Sequence, residues 1–122
     1  MEFFRTLSTE LDSADMVREL TIDRLSRHCR EIDKVLSHQG EQGEIYCLWG
    51  QFRVHRQPIN GGVRFTLPGC PNALAWTVTT GLPPDPGATV IHCTINRQEH
   101  DPDFIDSIDL FLDALVEGLT SP

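Results

Sequence analysis

The stretch EIYCLWGQFRVHRQPINGGVRFTL, residues 44–67, decides the fold. From Glu44 a period of two fits it, clearest in QFRVHR where polar and apolar residues alternate, the pattern of a strand with one face buried. Tyr46, Leu48, Phe52 and Val54 fall on one face with Gly50 between them. Ile45, Cys47, Trp49, Gln51, Arg53 and His55 fall on the other. Asn60-Gly61 suits the two-residue turn that reverses a twisted hairpin. A turn there pairs His55 with Thr66 and Arg56 with Phe65, and it places Val63, Phe65 and Leu67 on the side of Phe52 and Val54. Pro58 lacks an N–H, which places this part of the strand at an edge or makes it irregular.

Downstream, Pro68, Gly69 and Pro71 punctuate a turn, and ALAWTVTT (73–80) reads as a third strand with Leu74, Trp76 and Val78 inward. The proline-rich GLPPDPG leads into ATVIHCTINR (88–97), a fourth strand with Ile91, Cys93 and Ile95 inward. Beyond it Asp101 is placed as an N-cap, Pro102 as the first helical residue and Asp103 as a charge favoured by the helix dipole. Phe104, Ile108, Phe111, Leu112, Leu115 and Leu119 then form one apolar stripe. Asp106, Asp109, Asp113 and Glu117 line the opposite side, and Gly118 is placed to fray or end the helix.

Upstream, residues 13–37 carry Ala14, Val17, Thr21, Leu25, Cys29, Ile32 and Leu36 at intervals of three or four, which predicts one long amphipathic helix. Phe3, Phe4, Leu7 and Leu11 repeat at the same interval and predict an extra turn before it. The expected architecture is a single α+β domain over residues 1–122. It has two layers, in the order helix, four-stranded antiparallel meander, helix, with both helices on one sheet face.

The chain has 122 residues and a formal charge of −8. Residues 98–122 hold seven acidic groups and no basic one, whereas residues 41–97 are close to neutral. A pI near 4.9 argues against nucleic acid and anionic membranes as partners. No apolar run is long enough to span a bilayer, and the N-terminus lacks the pattern of a signal peptide, so the expected location is the cytoplasm. Cys29, Cys47, Cys70 and Cys93 are widely spaced, without C-x-x-C, and are expected as free thiols rather than metal ligands. No metal and no cofactor is expected.

Two surfaces stand out as candidate sites. Strand parity gathers Trp49, Gln51, Arg53, His55, Arg64 and His92, with Thr66, Thr77, Thr79 and Thr94, on the polar sheet face. Guanidinium, imidazole and indole groups there suit an acidic or planar ligand; the plain alternative is a solvated face. The stripe Asp106, Asp109, Asp113 and Glu117 suits a basic partner, the plain alternative being the solvated side of a surface helix. Cys70, in PGCP, reads as a turn residue, and His28-Cys29 and His92-Cys93 point their side chains apart. No catalytic or nucleotide-binding motif is present. The reading these features favour is a non-catalytic protein-binding module, an adaptor or chaperone-like protein engaging a basic partner or a second copy of itself. Its size and charge resemble those of small acidic α+β secretion chaperones. The alternative is a small-molecule-binding or catalytic domain using the Trp49, Arg53, Arg64 and His92 face.

Overall fold

A computed structural model describes residues 1–96 and 101–120. Among these residues seven antiparallel strands form one sheet: β1 (Glu2–Leu7), β2 (Ile32–Gln39), β3 (Gln42–Cys47), β4 (Gly50–Ile59), β5 (Gly62–Thr66), β6 (Ala75–Thr80) and β7 (Thr89–Thr94). Their order across the sheet is β1-β7-β6-β5-β4-β3-β2. Two short helices, α1 (Ser13–Glu19) and α2 (Leu25–His28), precede β2, and a long helix, α3 (Pro102–Thr120), ends the described chain. The four-stranded meander between two helices is therefore corrected to seven strands with one long helix and two small ones.

The largest correction concerns residues 13–37. α1 covers only its first seven residues, a 3-10 turn spans Ile22–Arg24, and the chain enters β2 at Ile32. The buried side chains here are Met16, Leu20, Ile22, Leu25, Cys29 and Ile32, while Ala14 is exposed and Leu36 is 46% exposed. β2 carries two register shifts against β3, between Ile32 and Lys34 and between Val35 and Ser37. Each shift resets the alternation of faces, so the strand loses its period of two and imitates a helical spacing. The expected N-terminal turn is also a strand. Glu2, Phe4 and Thr6 alternate with Phe3, Arg5 and Leu7, and β1 finds its partner in β7, from Glu2↔Thr94 to Leu7↔Thr89. The bonds that hold it are far away in sequence, where local periodicity carries no signal.

The expected first strand is broken as well. The chain reverses at Leu48-Trp49, so β3 pairs with β4 through Cys47↔Gly50 and Ile45↔Phe52. Gly50 has φ +109, a conformation that glycine alone adopts without strain. The reversal flips the parity upstream of it. Ile45 and Cys47 are buried, and Tyr46 is 51% exposed instead of lying in the core.

The Asn60-Gly61 hairpin forms in the expected register, with His55↔Thr66 and Arg56↔Phe65. β6 and β7 bury Trp76, Val78, Ile91 and Cys93 as their patterns predict. Arg97, at the end of the predicted fourth strand, lies outside the described residues. α3 begins as expected: the Asp103 N–H donates to Asp101 Oδ1 at 2.8 Å, and Ile108, Phe111, Leu112, Leu115 and Leu119 are buried. Gly118 lies within this helix rather than ending it. A Cβ there would stand 1.9 Å from the His28 carbonyl oxygen, so the bare backbone lets α2 and α3 touch.

The core lies between the sheet and the helices. Phe65 and Trp76 stack at 5.3 Å, and Phe111 of α3 meets Trp76 edge-on at 5.0 Å. Burial of each such side chain contributes about 1.5–3 kcal/mol before its ordering entropy is counted. Arg56 points into this layer and is only 8% exposed. Its Nε donates to Leu20 O at 2.7 Å, one terminal nitrogen donates to Val17 O and the other to Glu41 Oε2 at 2.8 Å. A buried cation thus closes the open carbonyls at the end of α1, where the helix dipole favours positive charge.

Candidate functional site

The polar sheet face assembles in part. Arg53, His55, Arg64 and His92 share it, with Arg53 opposite Glu44, His55 opposite Thr66, and Thr77 between Arg64 and His92. Gln51 donates to Glu44 Oε2 at 2.9 Å. His92 Nε2 lies 2.9 Å from Glu2 Oε1, and its ring stacks on Phe4 with centroids 4.4 Å apart and planes within 2°. An open depression of about 470 Å³ at the β2–β4 end is lined by Ser37, His38, Gln42, Glu44 and Arg53.

Trp49 is not part of this face. The reversal at Leu48-Trp49 carries it to the helix side, where it packs on Phe111 at 4.9 Å and Phe104 at 6.3 Å. Its Nε1 donates to Ser107 Oγ at 2.8 Å, and that hydroxyl donates to Phe104 O at 2.5 Å. The acidic stripe is largely engaged within the molecule. Arg5 bonds Asp109 at 2.9 Å and Asp113 at 3.0 Å, and Arg30 bonds Glu117 at 2.6 Å. The hydrogen bond to Asp109, above all, holds the Arg5 guanidinium above its ordinary value. Asp106 remains exposed.

Beside Trp49 the grip of helix on sheet leaves an apolar pocket of about 100 Å³. Trp49, Phe52, Leu67, Leu74 and Phe104 line it, with Cys70, Pro71 and Asn72 from the β5–β6 connection. That connection is held by its own turns, Cys70 N–H to Leu67 O at 2.9 Å and Ala73 N–H to Cys70 O at 3.0 Å. Leu67 N–H bonds Leu74 O at 3.1 Å across its neck. Of this lining only Trp49 was singled out in sequence as a ligand-facing group, and on the wrong face. Phe104, Leu67 and Leu74 carry the signal of core residues, and nothing local distinguishes a core side chain beside a void from one in contact on all sides.

Wider depressions of about 750 and 460 Å³ open where α2 meets the end of α3. Ion pairs cross this region, with Glu19 bonded to Arg24 at 3.2 Å and standing 3.3 Å from His28 Nε2. Burial is the main cause that pushes the Cys29 and Cys93 thiols up to about 12, and it raises Cys47 too. Such thiols are poor nucleophiles and poor metal ligands. Among the described residues no three His, Cys, Asp or Glu side chains cluster so as to hold a metal ion, and no helix is long and apolar enough to cross a membrane.

Comparison with solved structures places the architecture in the class of START-like folds, in which a sheet grips a long C-terminal helix. A START superfamily protein from Mycobacterium smegmatis superposes with a TM-score of 0.56 at 10% identity, over 97% of this chain and 96% of that one. At that identity the likeness establishes the fold alone. No family model and no curated protein matches the sequence. The chaperone-like reading, drawn from size, charge and an expected two-helix α+β fold, is not supported, because the fold is START-like instead.

Proposed function

We propose that this chain is a small-molecule-binding domain that takes an apolar ligand in the pocket beneath the first half of α3. The observation that carries the reading is the pocket itself, walled by Trp49, Phe52, Leu67, Leu74 and Phe104. The pocket lies where the START-like frame closes the sheet on α3, which supports the reading. Apolar walls with few polar groups are the usual make-up of a ligand site. Dry cavities of about 150 Å³ bind benzene or xenon, so a pocket of about 100 Å³ sets the scale at a small ring or a short alkyl group. Larger ligands need Trp49 and Phe104 to separate. The one hydrogen bond that ties the Trp49 indole, to Ser107, sits at that seam. Against the adaptor reading, Asp109, Asp113 and Glu117 already have cationic partners within the chain.

The test is a titration of the purified protein with benzene and short alkylbenzenes, followed by tryptophan fluorescence and melting temperature. Saturable binding that raises the melting temperature is expected, since a ligand selective for the folded state stabilises it by mass action. Leu74→Phe and Cys70→Leu, which fill the pocket from two sides, are expected to abolish it. Phe4→Ser on the far sheet face leaves it unchanged. Absence of saturation in the wild type, or full binding in either folded pocket variant, overturns the proposal.

A further inference from the structure

The two edges of the sheet are built differently. β2, at one end, is interrupted by two register shifts, the usual protection against another strand adding on. β1, at the other, pairs with β7 without a shift over six residues. Which backbone groups face outward follows from one bond: Ile95 N–H donates to Met1 O at 3.0 Å. In an antiparallel ladder bonded and non-bonded pairs alternate. Phe3, Arg5 and Leu7 therefore spend their backbone groups on β7, while Glu2, Phe4 and Thr6 present theirs at the free edge. Two observations agree. The Phe4 and His92 rings are as close as a non-bonded pair requires, and the Phe4 carbonyl, which accepts from Arg5 Nη1 at 3.0 Å, is free of the β7 ladder.

Phe4 is the most exposed large apolar residue among the described ones, at 57%. One face of its ring covers His92, and the other is turned to the edge. An incoming strand with an aromatic at the matching position would extend the ladder of rings.

We propose that the free edge of β1 is a homodimer interface, in which β1 of a second copy pairs antiparallel about a two-fold axis through Phe4. That register sets Phe4 opposite Phe4 of the partner and Glu2 opposite its Thr6. All outward N–H and C=O groups of the three residues then pair, the Phe4 carbonyl using its second lone pair. Charge argues against the neighbouring register centred on Glu2, and loss of the Phe4–Phe4 pair against the one centred on Thr6. Centring on Glu2 would set two carboxylates face to face, whereas here Glu2 meets a threonine and Arg5 meets Phe3. The α3 carboxylates nearest the edge, Asp109 and Asp113, are held by Arg5 of their own copy. A net charge of −8 on each copy still opposes association, so salt strengthens the dimer.

Sedimentation equilibrium of the full chain over a concentration series tests this. The expected result is a reversible shift from 13.7 kDa toward twice that mass, enhanced by added salt. Thr6→Pro removes an outward N–H without touching the β7 ladder, and Phe4→Ser removes the ring. Each is expected to weaken the dimer by roughly tenfold or more. Lys34→Pro, on the opposite edge, leaves it unchanged. A monomer at every concentration, a dimer insensitive to Thr6→Pro and Phe4→Ser, or capture of extended peptides by a monomer that never self-associates overturns the proposal. The outcome is independent of whether the pocket beneath α3 takes a ligand.

Discussion

Replacing Trp49 with alanine separates the two places its sequence allows, an open sheet face or the helix side of the sheet. On an open face the truncation would cost less than about 0.5 kcal/mol. In the structure it removes three things. The indole loses its hydrogen bond to Ser107, worth about 1 kcal/mol net. The contacts with Phe111 and Phe104 contribute about 0.5–1.5 kcal/mol each. Loss of a half-buried apolar surface adds about 1 kcal/mol. These overlap, and because Trp49 is only half-buried the sum belongs below the 3–5 kcal/mol of a full core truncation, at about 2–4 kcal/mol. Urea unfolding followed by far-ultraviolet circular dichroism reads it directly, with a linear extrapolation and an unchanged slope as the sign that folding stays two-state. Trp49→Phe, which keeps a ring and loses the N–H, is expected to cost about 1–2 kcal/mol. Ser107→Ala costs at most about 1 kcal/mol, since the indole N–H of a half-buried residue can turn to water. A cost below about 0.5 kcal/mol for Trp49→Ala would refute both the placement and the wall it gives the pocket.

Arg56→Met leaves the Val17 and Leu20 carbonyls without their donor and is expected to cost about 2–4 kcal/mol in denaturant unfolding. Glu41→Gln, at the exposed end of the same guanidinium, costs less than about 1 kcal/mol. Gly118→Ala drives a methyl group against the His28 carbonyl and lowers stability by about 1–3 kcal/mol, visible as a drop in melting temperature. The alkaline limit of stability follows from the thiols. Burial raises Cys29 and Cys93 from 9.0 to about 12, so the unfolded chain releases protons that the folded one keeps. Their contribution is therefore complete below pH 9 and declines as pH rises toward 12. Melting temperatures measured across that window are expected to fall, and Cys93→Ala flattens the fall.

Elements whose determinants are local could be read from the chain. The start of α3 is written in Asp101 and Pro102, and its buried face in residues three or four apart. The hairpin at Asn60-Gly61 needs two residues and one parity rule, and its register came out as those rules require. Elements that depend on distant partners could not be read. β1 is a strand because β7, nearly ninety residues on, offers it a ladder. β2 is a strand because β3 supplies its bonds across two register shifts, which erase the alternation that would have announced it. The reversal at Leu48-Trp49 has a local trace in Gly50, but the run IYCLW before it is apolar throughout, so only parity carried over from downstream could assign its faces, and it put Ile45, Tyr46 and Cys47 on the wrong ones. The polar face kept Arg53, His55, Arg64 and His92 because it depends only on parity within β4, β5 and β7. The pocket was invisible because it is a gap among core residues from β4, two connecting segments and α3.

By itself, then, the sequence determined what a few neighbouring residues can settle: the capped acidic helix, the Asn-Gly corner and the alternation of β6 and β7. Tertiary structure decided the number of strands, the side of the sheet on which Trp49 lies and the existence of the pocket. Strand pairing and packing are interactions between residues far apart in the chain, and their energies override a local period whenever the two disagree.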